Sequence, residues 1–229
     1  DNSLRAFQAA IESGADGVEL DVHLTSDKVP IVLHDATLGR VTSGHGAVAQ
    51  HSFAAIKGFS LAGCDDAIPS LDDVLGLLAP TTLIVNVEIK INLQEKPHEG
   101  IEVLVAQSLI DAGMLNRAVI SSFDWEQISA FLNIARPALA LGLLEGRGVK
   151  TNAEIAASLK KALETGFNGI CFPAKYLPKE TLTDEQRGKI WIYNADNARA
   201  LSRALAARPA AIITDRPDLA INLRDEIAP

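Results

Sequence analysis

The residues in this sequence best placed to do chemistry are three acids, a lysine and a histidine. Glu19 and Asp21 lie in the run Gly17 to Leu24 (GVELDVHL), where Val18, Leu20 and Val22 alternate with Glu19, Asp21 and His23. Alternation with period two marks a strand, and residues two apart on a strand share a face. Asn86, Glu88 and Lys90 repeat the pattern in the run Leu83 to Lys90 (LIVNVEIK). Polar groups on an inward face are costly unless they are paired or bind an ion. Hard divalent cations take several carboxylate oxygens, whereas zinc favours nitrogen and sulfur. Glu19, Asp21 and Glu88 are therefore expected to hold one divalent cation, Mg²⁺ or Ca²⁺. The competing reading is a buried ion network in which Glu88 simply pairs with Lys90.

Around that centre the remaining roles are read from context. Ser26-Asp27-Lys28 is a turn, and the run Val29 to Leu33 returns the chain to deliver His34-Asp35. His34 next to a metal is a candidate general acid/base. Asp35 either holds its tautomer or caps the following turn. Lys90 beside a cation suits an anionic oxygen such as a phosphate, which makes it a candidate for catalysis and for substrate binding. Phe123 and Trp191 are candidates for an apolar wall against the substrate, with ordinary packing as the equal alternative. His23, His45, His51 and His98 have no comparable context and are read as surface or loop residues.

The elements that must position these groups alternate between strand and helix from end to end. Ser3 or Asn2 caps a helix through Leu4, Phe7, Ala10 and Ile11, ending near Gly14. Barrel-lining strands are expected near residues 20, 87, 120, 141, 170, 192 and 212, with helices between them. Several of these strands are almost wholly apolar, as when both faces are covered. This pattern predicts the α/β class and a (β/α)8 TIM barrel, with active-site residues at the carboxyl ends of the strands. Such a barrel takes eight strands, so a first strand is expected to lie before Asp1. An open doubly wound sheet is the alternative, but no Gly-rich nucleotide loop follows the first strand. Residues 1–229 read as one domain, with an irregular insertion at about 36–69.

Composition narrows the partners. The chain has 229 residues, 48% of them apolar and 22% charged, and a net charge of −8 without any basic stripe. Nucleic acid and anionic membrane surfaces are poor partners for such a chain, and an anionic substrate needs a local metal and a few placed cations. No apolar run approaches a membrane span. The expected partner is a small molecule, and the expected location is the cytoplasm, although the missing initiator methionine leaves a leader peptide unjudged. Cys64 and Cys171 are read as buried thiols rather than a disulfide.

Taken together, these residues resemble the glycerophosphodiester phosphodiesterases over essentially the whole chain. The likeness is carried by Glu19-x-Asp21, His34-Asp35, the loop Leu38-x-Arg40-x-Thr42-x-Gly44-x-Gly46, Ile68-Pro69-Ser70-Leu71, Asn86-x-Glu88-x-Lys90, Ser121-Ser122-Phe123, Trp191-x-x-Asn194 and Ile213-Thr214-Asp215-x-Pro217. The resemblance implies a TIM barrel that hydrolyses glycerophosphodiesters to sn-glycerol 3-phosphate and an alcohol. It also implies that Glu19, Asp21 and Glu88 ligate the metal, that His34 is one of two catalytic histidines, and that Lys90 contacts the phosphate. The family's other catalytic histidine sits in a His-Arg pair on its first strand, and nothing here matches it. The position before Asn2, usually Glu in the family, is Asp1. Rival readings are a phospholipase D-like enzyme acting on lysophospholipid or sphingolipid head groups, a metal-dependent sugar isomerase, and a non-catalytic barrel that binds glycerol phosphate.

Overall fold

The computed structural model describes residues 2–63, 65–145, 149–178 and 182–227. Asp1 and Cys64, both singled out above, lie outside them. The chain divides into two compact units, Asp1–Leu139 and Ala140–Pro229.

In the first unit, α1 (Leu4–Ser13) opens on Ser3, whose hydroxyl accepts from the Ala6 amide, and closes on Gly14 in the left-handed conformation, φ 77°. Only a residue without a Cβ takes that cap cheaply. β1 (Gly17–Leu24) follows, and β2 (Pro30–Val32) returns antiparallel along its carboxyl half, with Val22 opposite Val32 and Leu24 opposite Pro30. The turn between them places Lys28 at φ 63°. Helices α2 (Phe53–Ile56) and α3 (Leu71–Leu78) come next, and a capping box of Ser70 and Asp73 starts the second. β3 (Ile84–Ile89) runs parallel to β1. A Cβ added at Gly17 would stand 2.7 Å from the Ile84 carbonyl oxygen, so only glycine permits this approach of β1 to β3. α4 (Ile101–Asp111) and β4 (Ala118–Ser122) extend the parallel set, and α5 (Trp125–Ile134) is capped by Asp124.

The core of this unit is aliphatic. Leu20 and Val22 on β1, Val85 and Val87 on β3, and Leu71, Val74, Leu75 and Leu78 on α3 belong to one buried cluster. Loop segment 36–69 is more ordered than its sequence suggests. It builds a second small core from Leu38, Val48, Ile56, Leu61 and Ile68 against Ile31 and Leu33. Arg117, just before β4, donates to four carbonyls, those of Leu78, Ala79, Thr81 and Leu83, at 2.6–3.3 Å. It thereby closes the carboxyl end of α3, where orphan carbonyls need donors.

The second unit carries β5 (Leu139–Leu143), α6 (Asn152–Glu164), β6 (Gly169–Pro173), α7 (Asp184–Arg187), β7 (Ile190–Tyr193), α8 (Ala198–Ala207), β8 (Ala211–Ile213) and α9 (Pro217–Ile227). Its strands pair parallel in sequence order. All seven strands expected to line the fold are present as β1 and β3 to β8. Cys171 lies buried on β6.

Candidate active site

Strand register assembles the acids. Parallel pairing sets Glu19 opposite Asn86 and Asp21 opposite Glu88, and Glu88 in turn opposite Ser121 on β4. Residues opposite each other in a sheet project to the same side, so the β1 pair and the β3 pair converge. One carboxylate oxygen from each of Glu19, Asp21 and Glu88 lies within 4.8 Å of the others. Asp21 and Glu88 are buried, and Glu19 is half-buried.

Lys90, one residue past the end of β3, sits against two members of this trio. Its ammonium is 2.8 Å from Asp21 Oδ1 and 2.5 Å from Glu88 Oε1, with only 14% of its side chain exposed. Burial works against the charged ammonium, but Glu88 and Asp21 outweigh it and hold the Lys90 pKa above its ordinary value. Burial pushes the Glu88 carboxyl well above the usual range; Lys90 opposes that shift, and the charge of Asp21 adds to it. Both readings of the trio made from sequence thus describe part of it: the acids converge as a cation site would require, and Lys90 is also their ion-pair partner.

The donor set fits a divalent cation. With all three carboxylates deprotonated, as ligation requires, they would carry three negative charges; Lys90 returns one positive charge, and the remainder matches a hard dication with oxygen ligands. Glu19, Asp21 and Glu88 are the residues that would hold it.

Asn2 is a member of the site that sequence reasoning missed. It is buried, takes φ 55°, donates through Nδ2 to Asp21 Oδ2 at 2.7 Å, and accepts from the Asp21 amide at Oδ1, 3.3 Å away. Asparagine tolerates the left-handed region better than most side chains, which lets it reach back from the start of α1 to β1. In sequence it stands beside Ser3 and competes with it for the cap; the structure gives the cap to Ser3 and Asp21 to Asn2. The structure also corrects the reading of His23. His23 lies on β1 rather than on the surface or in a loop, and His98, which is in a loop as expected, is buried; the two rings are within hydrogen-bond distance. Burial, then the neighbouring His98, lowers the His23 pKa to about 4. His45 is exposed, and its carbonyl lies 2.9 Å from His51 Nε2.

His34 follows β2 by two residues, and its side chain is 56% exposed. The amide of the preceding residue, Leu33, bonds the Asp21 carbonyl at 3.0 Å, which sets His34 at the same end of the strands as the acids. His34 Nδ1 is 2.7 Å from Asp35 Oδ1. Arg40 grips the same carboxylate with two hydrogen bonds, Nε to Oδ2 at 2.5 Å and a terminal nitrogen to Oδ1 at 2.7 Å. The bonds from Arg40 hold the Asp35 carboxyl far below the usual carboxylate range. Asp35 is therefore an obligate acceptor, and the choice left open by the sequence resolves: its carboxylate holds the His34 ring.

Phe123 directly follows β4 and is 38% exposed. The hydroxyl of the preceding residue, Ser122, donates to the Ile89 carbonyl at 2.7 Å, tying that turn to the end of β3 beside Lys90. Trp191 lies on β7 of the second unit and is half-buried there. Among the described residues, no helix is long and apolar enough to cross a membrane.

Three converging carboxylates, a buried lysine and an imidazole stand at this end of β1 and β3, and comparison with known proteins gives the arrangement a lineage. The model of the glycerophosphoryl diester phosphodiesterase family matches residues 1–219. A glycerophosphodiester phosphodiesterase from Caldanaerobacter subterraneus subsp. tengcongensis is 31% identical, over 97% of this chain and 91% of its own. One from Bacillus altitudinis is 26% identical, over 99% and 94%. A crystal structure from Agrobacterium tumefaciens str. C58 that bears the family's name has a TM-score of 0.88 at 24% identity, covering 99% of this chain and 92% of its own. An Oleispira antarctica phosphodiesterase, solved with its product sn-glycerol-3-phosphate, has a TM-score of 0.79 at 18% identity, covering 98% and 91%. These likenesses show the α/β fold class of the TIM barrel. The chain belongs to the glycerophosphoryl diester phosphodiesterase family and is an enzyme, a phosphoric diester hydrolase.

Proposed function

We propose that the enzyme hydrolyses glycerophosphodiesters to sn-glycerol 3-phosphate and an alcohol, with one Mg²⁺ or Ca²⁺ held by Glu19, Asp21 and Glu88 and with His34 as general acid/base. The observation that carries the reading is the convergence of the three carboxylates within 4.8 Å in a chain of this family. A relative's complex with sn-glycerol-3-phosphate supports the choice of product.

The chain's own groups supply the proton steps. Ionised Asp35 can only accept, so His34 carries its hydrogen on Nδ1 and presents a bare Nε2. That nitrogen takes a proton from the attacking hydroxyl or water, or in the protonated form gives one to the leaving oxygen; His34 carries one of these two steps, a contribution of ~10²–10⁴-fold. Lys90 keeps its positive charge at any working pH and meets the phosphate from beside the acids. A bound divalent cation supplies Lewis-acid neutralisation of the phosphoryl oxygens. Phe123 and Trp191 are proposed to face the alcohol portion of the substrate.

The test is release of glycerol 3-phosphate from glycerophosphocholine by wild type and by His34→Ala, with Mg²⁺ titration calorimetry on both. The variant should lose turnover by at least ~10²-fold while binding the cation as wild type does. Undiminished turnover in His34→Ala would remove the histidine from the mechanism.

A further inference from the structure

The reaction gives no role to two buried histidines that stand behind His34. His23 lies on β1 and His98 in the turn leading to α4, and their exposures are 1% and 7%. The rings meet edge to face, with centroids 5.3 Å apart and planes at 78°. His98 Nε2 is 3.0 Å from His23 Nδ1, and His23 Nε2 is 3.3 Å from the backbone carbonyl oxygen of His34.

With both rings neutral, this geometry has one consistent proton arrangement. A carbonyl oxygen has no hydrogen to give, so His23 Nε2 carries one and donates it. A neutral imidazole has a single N–H, so His23 Nδ1 is bare and accepts. The hydrogen between the rings then belongs to His98 Nε2. Donation runs one way, from His98 to His23 to the His34 carbonyl.

We propose that His98, acting through His23, is a positioning residue for His34. The case rests on the reading of His34 as the general acid/base. Asp35 and Arg40 fix the ring of His34 but not the backbone from which it hangs. β2 stops at Val32, and the amide of Leu33 makes a further bond to the Asp21 carbonyl at 3.0 Å. At the next residue, the chain takes its anchor from the His23 imidazole. Packing alone does not explain the pair, because apolar side chains fill buried space without the desolvation cost of two imidazoles. Loss of the His98 donor leaves His23 Nδ1 a bare, buried acceptor and frees the ring to turn. A turned ring no longer holds the His34 carbonyl squarely, and the backbone that carries the His34 imidazole shifts.

The test uses His98→Met, which removes the donor at similar volume, and His98→Gln, whose amide nitrogen replaces Nε2. Nitrogen–proton correlation spectra of the histidines should show His23 protonated at Nε2 and hydrogen-bonded in wild type and in His98→Gln, with the hydrogen-bonded shift of that proton lost in His98→Met. Turnover of glycerophosphocholine should fall roughly 10- to 100-fold in His98→Met with KM little changed, because displacements of about 1 Å carry such costs. His98→Gln should restore most of it. A wild-type His23 bare at Nε2 overturns the proposal even if neither variant folds. So does full turnover in folded His98→Met, or failure of His98→Gln to exceed it. The separate failure of the catalytic reading shows itself as full turnover in His34→Ala, with the His23 tautomer still as described.

Discussion

Replacing Lys90 by methionine strips the acid cluster of its internal cation, and the structure sets the size of the effect. The ammonium lies 2.8 Å from Asp21 and 2.5 Å from Glu88, whose side chains are 4% and 10% exposed. Methionine fills much of the same volume and restores no charge. Removing one partner of a buried ion pair costs about 3–5 kcal/mol, because a desolvated charge is left uncompensated. For a chain of this length, 1 kcal/mol moves the melting temperature by about 2–4 °C, so Lys90→Met in chelator should melt roughly 10 °C below wild type. A dication then has more repulsion to relieve in the variant than in wild type. Ligand at a hundredfold excess over its Kd contributes about 2.7 kcal/mol to any protein that binds it, and the variant should gain more than wild type from the same Mg²⁺ or Ca²⁺. Thermal unfolding followed by circular dichroism, with chelator and then with each cation, makes the comparison. A variant that melts within about 2 °C of wild type in chelator, or that gains no more than wild type from either cation, would refute the coupling of Lys90 to the acid cluster.

Three further outcomes follow from individual contacts. Asn2→Ala leaves Asp21 without its side-chain clamp and should weaken Mg²⁺ or Ca²⁺ binding about 10- to 100-fold in a calorimetric titration, the usual cost of losing a group that orients a ligand. Unchanged affinity would assign Asn2 to folding alone. Arg117→Ala removes four carbonyl contacts at the end of α3 and should lower stability by about 2–4 kcal/mol in urea unfolding, without changing cation affinity. The pKa of His23 is lowered in the folded state, from 6.5 to about 4. Its neutral form favours folding, so that contribution is present above pH 6.5 and is lost as pH falls through the window down to about 4. At 1.36 kcal/mol per unit, the loss is about 3 kcal/mol. The difference in unfolding free energy between wild type and His23→Gln should therefore shrink between pH 7 and pH 4, and a difference independent of pH would contradict the assignment.

The strand sequence and the acids were legible because both follow period two. Glu19 with Asp21, and Asn86 with Glu88 and Lys90, announce their shared faces in the sequence alone. The register that sets Asp21 opposite Glu88 is a tertiary fact with no local signal. Lys90 reads in sequence both as an anion ligand and as a partner for Glu88; that it pairs with Asp21 as well follows only from the register. Asn2 was hidden by Ser3, an equally good cap one residue later. His23 and His98 stand 75 residues apart, and a lone histidine carries no mark of its partner. Segment 36–69 looked irregular because Leu38, Val48, Ile56, Leu61 and Ile68 follow neither helical nor strand spacing, yet they close a core of their own.

The most direct measurement is the rate of glycerol 3-phosphate release from glycerophosphocholine in chelator and after stepwise return of Mg²⁺ or Ca²⁺, with Glu88→Gln alongside wild type. The structure predicts that chelation abolishes release in wild type, that one of the two cations restores it with saturation, and that Glu88→Gln needs far more cation to respond. Release that proceeds at an equal rate in chelator would contradict the carboxylate cluster as a working metal centre.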